Sequence, residues 1–308
     1  MTSYRLRPAD LEHVQTVAEA YAHLETGYRS WMPIQTIPRS MTSKFYTLEN
    51  IPGPALSISG ADYMGVRTAR TEGENPLVFM RYKFHWDITE VEAAKRAGVP
   101  LQADDVKIGL RHIHDKIAQM ILEGLDWPEV INGATEDGTD IGAGLDTTYV
   151  GTQGSFSTHA RAAYNHMVTN GHRGPYKLVV GDSIRPFLYL PQPNGHGLNQ
   201  EKYIKDTFDM DVFTEKSDTA ANFAANIEVG LEDVIPSMIY TADDGIWVCL
   251  AAHSENMALQ EVEPPKVYIE PNINRDTNKY EGYVEWHGTL RITEGTAICY
   301  MEDVDAYA

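Results

Sequence analysis

Cysteine is almost missing from this chain: Cys249 and Cys299 are the only two in 308 residues. Two thiols cannot build a disulfide framework, and their separation is not that of a zinc site. They read as buried thiols of a reducing compartment, with pairing left open. Basic residues are scarce as well, 25 against 44 acidic ones, for a formal net charge of -19. Such a surface repels polyphosphate, which excludes sequence-specific nucleic-acid binding over most of it. Long apolar runs are also lacking, and the opening MTSYRLRPADLEH has no apolar core of a secretory signal. Neither export nor membrane contact is expected. What is plentiful is core-forming material: 43% hydrophobic and 10% aromatic residues, enough for a sizeable core and for one elaborate domain or two small ones.

Periodicity places the elements. Leu11, Val14, Ala18, Tyr21 and Leu24 recur at steps of three and four after Pro8, an amphipathic helix ended by Gly27. Pro33, Pro38, Pro52 and Pro54 then break the stretch from Trp31 to Pro54, which is expected to cross a surface without helix or central strand. Ala55 to Ile58, Tyr63 to Thr68 and Leu77 to Phe84 are rich in strand-forming residues between turn signals, so a long protruding β-hairpin is predicted. A short helix should run from Thr89, as N-cap, to Ala97, stopped by Gly98 and Pro100. The strongest helix signal is Asp104 to Glu123, where Val106, Leu110, Ile113, Ile117 and Ile121 form one stripe ahead of Gly124. A Gly- and Asp-rich loop follows. Next come a helix from Thr158 to Asn170, with Ala160, Ala163, Tyr164, Met167 and Val168 inward, and a buried strand from Tyr176 to Val180. A further helix runs from Gln200 to Phe208, with Tyr203, Ile204 and Phe208 inward. Beyond Asp209 only strands and turns are expected. The class is α+β, with helices first and an antiparallel sheet after.

Catalytic and metal-binding patterns are thin. Asp182 and Ser183 follow the buried strand, the position of an exposed serine nucleophile, and KLVVGDS resembles the block for which the GDS lipases and esterases are named. That family places the block near its N-terminus and its Asp-x-x-His near the C-terminus. Here the only such pair, Asp10 and His13, precedes the serine, so Asp182 and Ser183 read as a turn or a cap. His112 and His114 lie two apart on a helix and point to different sides, which prevents a shared metal and makes them surface histidines. His159, His166 and His172 lack the four-residue spacing of a helical metal pair. Glu136 to Asp140 lacks the terminal bidentate glutamate of a calcium loop, and Gly142-Ala-Gly144 lacks the strand and third glycine of a phosphate cradle. No nucleophile, base and orienting acid assemble; no catalytic residue, metal or cofactor is assigned.

The order of elements is itself a pattern: arm helix, Pro-rich crossing, hairpin, long helix, Gly-rich loop, helix, Gly-Pro turn, strand, helix, sheet. It resembles the Hong Kong 97-type fold of tailed-virus major capsid proteins and encapsulins. Three blocks carry the likeness: Phe84 to Ala94, similar to the family's strand and Glu-rich helix; Asp104 to Gly124, similar to its long spine helix; and Ala160 to Val180, where a helix meets NGHRGPY and a buried strand. The terminal GTLRITEGTAICYME extends it, so the likeness covers most of the chain from about Lys44 onward.

The resemblance implies an N-terminal arm at residues 1–44, an extended β-hairpin loop at 45–84, a peripheral domain with the spine helix at 85–157, and a mainly axial domain at 158–308, with C-terminal strands completing the peripheral sheet. It implies a structural shell protein that is not an enzyme. Its partners would be many copies of itself, in pentamers and hexamers or pentamers only. Packaged double-stranded DNA would be contacted non-specifically, with cement or scaffold proteins as further partners. The site is a virion capsid assembled in the host cytoplasm. An encapsulin holding cargo protein is the alternative, for which the first helix would help to form a cargo groove. The Pro-rich stretch and the insert Glu263 to Tyr280, suited to surface decoration, favour the capsid. An amphipathic arm without an evident core of its own, and a hairpin needing cover, point to contacts with neighbouring copies through Leu11, Val14, Tyr21, Leu24, Tyr63, Val66, Leu77 and Phe79.

Overall fold

The computed structural model describes residues 6–22, 27–38, 42–48, 70–99, 103–125, 131–132, 139–140, 155–181, 188–191, 197–215, 247–250, 256–274 and 278–301. Its helices are Pro8–Ala22 (α1), Tyr28–Trp31 (α2), Ile88–Ala97 (α3), Asp104–Glu123 (α4), Ser155–Thr169 (α5) and Gln200–Phe208 (α6). The first strands are Ile34–Thr36 (β1), Thr42–Leu48 (β2), Arg70–Pro76 (β3), Val78–Asp87 (β4), Gly124–Leu125 (β5), Ile131–Asn132 (β6) and Thr139–Asp140 (β7). The second half adds Tyr176–Gly181 (β8), Met210–Glu215 (β9), Trp247–Leu250 (β10), Met257–Ile269 (β11), Lys279–Ile292 (β12) and Ile298–Met301 (β13).

Two sheets carry two cores. The first sheet runs β1-β11-β12-β4 and the second β7-β13-β10-β8-β9. Helix α4 lies on β4, β11 and β12, and its predicted stripe of Val106, Leu110, Ile113, Ile117 and Ile121 is buried throughout. Each such side chain contributes about 1.5–3 kcal/mol by leaving water. Facing it are Met80, Phe84 and Trp86 from β4, Leu259 from β11, and Val284, Trp286 and Leu290 from β12. The second core joins Ala160, Ala163 and Met167 of α5 and Ile204 and Phe208 of α6 to Tyr176, Leu178, Val180, Met210 and Cys299 of the sheet. Tyr164 and Tyr203 pack at its margin. Val168 is 49% exposed, against expectation, because it sits one residue, about 100° of helix, beyond Met167.

Helix ends follow local chemistry. The short third helix starts at Ile88, with Asp87 and not Thr89 as its cap. The Glu90 carboxylate accepts from the Asp87 backbone N–H at 3.2 Å, the reciprocal half of a capping box. Gly98 ends it at φ 69°, a conformation that favours glycine. Asn199 caps α6 by accepting from the Lys202 N–H at 3.0 Å.

Strand pairing departs from expectation in three places, and the Pro-rich stretch holds an edge strand that the expectation allows. The C-terminal sheet is not simply antiparallel: β8 pairs with β9 in parallel, and α6 lies in the crossover between them, as a parallel connection requires. The Pro-rich stretch contains β1, an edge strand between Pro33 and Pro38 that runs parallel to β11, where missing donors are tolerated. The insert Glu263 to Tyr280 is largely sheet and not decoration. Strand β11 continues through Pro264 and Pro265 with register shifts at Glu261/Glu263 and Glu263/Lys266, then pairs Lys266–Ile269 with β12. Finally, Val78–Asp87 is no arm of a protruding hairpin. It pairs with β12 along its length, because its alternate residues Val78, Met80, Phe84 and Trp86 are needed in the core. The hairpin is β2 with β3, antiparallel from Thr42↔Pro76 to Leu48↔Arg70. Ala55 to Ile58 and Tyr63 to Thr68 lie outside the described residues.

Candidate assembly interface

The N-terminal segment binds its own chain first. Val14 is 1% exposed and Leu11 is half-buried against the same core, where α1 packs on α4 and β11. These two residues were expected on a neighbouring copy; the apolar surfaces of α4 and β11 supply the partner that the local sequence did not reveal. Leu6 N–H donates to Pro271 O at 3.0 Å. Arg7 pairs with Asp10 at 2.8 Å and donates to Val99 O at 2.8 Å. Tyr21 falls within α1, and its side chain is outside the described residues, as are Leu24, Tyr63 and Val66. Leu77 is half-buried just before β4. Phe79, on β4, is 36% exposed.

Short helix α2 joins the two cores. Tyr28 and Trp31 are buried in the first. Arg29 donates to both Glu261 carboxylate oxygens, at 2.8 and 3.1 Å, and Trp286 Nε1 donates to the same group at 3.1 Å. These donors satisfy a buried side chain that would otherwise be left without hydrogen-bond partners. From the second sheet, Lys177 Nζ donates to Trp31 O at 2.7 Å; burial lowers its pKa, and Asp211 partly opposes this. His114 stacks on Tyr28 with centroids 5.5 Å apart. Its pKa is pushed down to about 4, first by burial and then by the Arg29 charge, with Asp115 opposing. His112 and His114 are therefore half-buried, not surface histidines: α4 is covered on two sides, by β4 carrying Tyr82 against His112 and by α2 against His114.

The face of the first sheet turned away from the core is organised in rows across β4, β12 and β11. Phe79, His287 and Glu263 share one row, Arg81, Glu285 and Lys266 the next, and Lys83, Tyr283 and Tyr268 the third. The Arg81 guanidinium lies between aromatic rings, 4.8 Å from Phe79 and 4.4 Å from Tyr283, and pairs with Glu285. Tyr268 and Tyr283 stack at 5.2 Å, and Phe79 meets His287 at 4.5 Å. Lys83 pairs with Glu281 at 2.9 Å, Lys266 with Glu263 at 3.3 Å, and Lys279 with Asp87 at 3.9 Å. Sequence alone could not assemble these rows, because they join β4 to strands far along the chain. The signal available was alternation in β4 and β12.

Other candidate sites gain little support. Asp182, Ser183, Glu136 and Gly142 lie outside the described residues. The Asp10 carboxylate is buried and held by Arg7, while His13 is exposed. Among the described residues no group of three or more His, Cys, Asp or Glu is placed to hold a metal ion. His172 Nε2 lies 3.2 Å from Thr296 Oγ1 and 3.8 Å from Glu294. Cys249 and Cys299 are register partners in β10 and β13, and Cys299 is a buried free thiol. No helix among the described residues is long and apolar enough to cross a membrane.

Three solved structures share this arrangement. A virus-like particle from Pyrococcus furiosus matches over 94% of this chain and 98% of its own, with TM-score 0.61 and 9% identity. The capsid of Myoviridae phage XM1 matches over 88% and 89%, with TM-score 0.57 and 11% identity. The fold is the Hong Kong 97-type shell fold. The capsid of a native GTA particle has it too, over 91% of this chain and 90% of its own, with TM-score 0.58 and 10% identity. No family model matches the sequence, and no curated protein matches it. In this Hong Kong 97-type chain the fold is shared with those structures at 9–11% identity.

Proposed function

We propose that this chain is the major capsid protein of a tailed virus, a subunit that closes with copies of itself into an icosahedral shell around double-stranded DNA. The observation that carries the reading is end-to-end: the fold matches shell subunits over about nine-tenths of their length and of this chain. The proposed division is an arm at residues 1–44, an extended loop at 45–84, a peripheral domain at 85–157 and a mainly axial domain at 158–308. In this division the loop's last residues, from Val78, return into the peripheral sheet. The role is structural and non-enzymatic. The acidic balance of -19 supports a container whose wall holds its DNA loosely and without sequence preference. Cement or scaffold proteins, and assembly in the host cytoplasm, belong to the same proposal.

A second reading has one observation in its favour. Helix α1 packs against α4 and β11 of its own chain, as suits a first helix that forms part of a groove for a cargo protein. The contents separate the two. Particles purified from the native source should hold nuclease-protected double-stranded DNA if the capsid reading is right. A single co-purifying enzyme in DNA-free particles would establish the compartment instead.

A further inference from the structure

We propose that the outward face of the β1-β11-β12-β4 sheet is covered by a second copy of the chain, with Phe79, Arg81 and Tyr283 at the centre of the contact; this rests on the shell reading above. Charge singles the face out. The whole chain carries 44 acidic and 25 basic residues, so two copies repel unless they meet where the charge is locally balanced. On this face Arg81, Lys83, Lys266 and Lys279 are matched by Glu285, Glu281, Glu263 and Asp87. Because each cation already has its anion inside the subunit, covering the face leaves no lone charge in a dry contact.

Composition and order point the same way. Aromatic residues and arginine are enriched at the centres of protein contacts, where they supply rigid area. Phe79 and Tyr283 hold the Arg81 guanidinium between them, and Tyr268 extends the stack. These side chains are therefore set before any partner arrives, which reduces the ordering cost of association. The same strand, β4, follows the β3 arm of the hairpin after Leu77 alone, so the face adjoins the hairpin.

Oxidative footprinting on particles assembled from the purified chain alone tests this, since no other protein is then present. Labelling of Phe79, Tyr268 and Tyr283 should fall several-fold between dissociated subunits and particles, while exposed Tyr189, beside Leu188 of the second core, reports general shielding. Unchanged labelling of the three in closed particles would overturn the proposal and leave the face to solvent or to a different protein. As a second arm, Arg81→Glu, which faces Glu285 with a like charge and so lowers the melting temperature, should still fold but form no particles. Lys202→Glu, an equal charge change on the exposed side of α6, should still assemble. An Arg81→Glu chain that is folded and forms particles would overturn the proposal. Loss of assembly in both would also overturn it, by tracing the effect to net charge. If the unmodified chain forms no particles, the shell reading itself fails, a result distinct from particles with an open face.

Discussion

Replacing His114 with glutamine should flatten part of the subunit's loss of stability in acid. In the unfolded chain this imidazole titrates near 6.5, and in the folded chain it is held to about 4 by burial and by the neighbouring Arg29 charge. The depressed pKa means that the unfolded state binds the proton first as pH falls. His114 therefore costs no stability above pH 6.5, costs progressively more between 6.5 and 4, and adds nothing further below that. At about 1.4 kcal/mol per pH unit, the full effect is roughly 3 kcal/mol. The assay is urea unfolding of the unassembled subunit across this range, wild type beside His114→Gln, since other groups titrate equally in both. The wild type should lose roughly 3 kcal/mol more than the variant between neutral pH and pH 4. Parallel curves, or a His114 imidazole resonance, assigned by its loss in the variant, that titrates near 6.5 in the folded subunit, would show that α2 does not seal His114 from water.

Other substitutions probe separate joints of the structure. A Cβ at Gly288 would overlap the Trp286 ring and approach Gln260 O to 2.6 Å, so Gly288→Ala should cost about 1–3 kcal/mol in chemical denaturation. Arg29→Ala leaves the buried Glu261 carboxylate without its cationic partner, with Trp286 Nε1 still donating to it, and should cost about 3–5 kcal/mol; Glu261→Gln in the same background should recover part of that. Val14→Asp places a charge in the core under α1 and should lower the melting temperature of the unassembled subunit itself. Phe79→Ser, in contrast, should leave melting within about 0.5 kcal/mol of wild type while preventing assembly.

How much of this was legible depended on whether the signal was local. The bounds of α4 and α6 could be read directly, since residues three and four apart lie on one face and Gly124 marks an end that needs no distant partner. The third helix was displaced at its start because the strand before it runs up to Asp87, and Glu90 completes the cap from inside. What escaped was long-range. The apolar alternation of β4 announced a half-buried strand but not its pairing with β12, so a core strand was taken for the arm of a hairpin. Val14 and Leu11 gave the helix stripe correctly and its destination wrongly, because α4 and β11 lie far along the sequence. Glu261 reads as a surface charge until β11 brings it beneath Arg29 and Trp286. For the proposed contact, Phe79 is named by its apolar character alone, while Arg81, Tyr268 and Tyr283 join it only through the strand register.

The most direct test is cryo-electron microscopy of the purified, untagged chain with no other component present. The account predicts closed shells in which the subunits form pentamers, alone or with hexamers. A homogeneous population of monomers or small oligomers, folded by calorimetry and unchanged across salt and concentration, would contradict it.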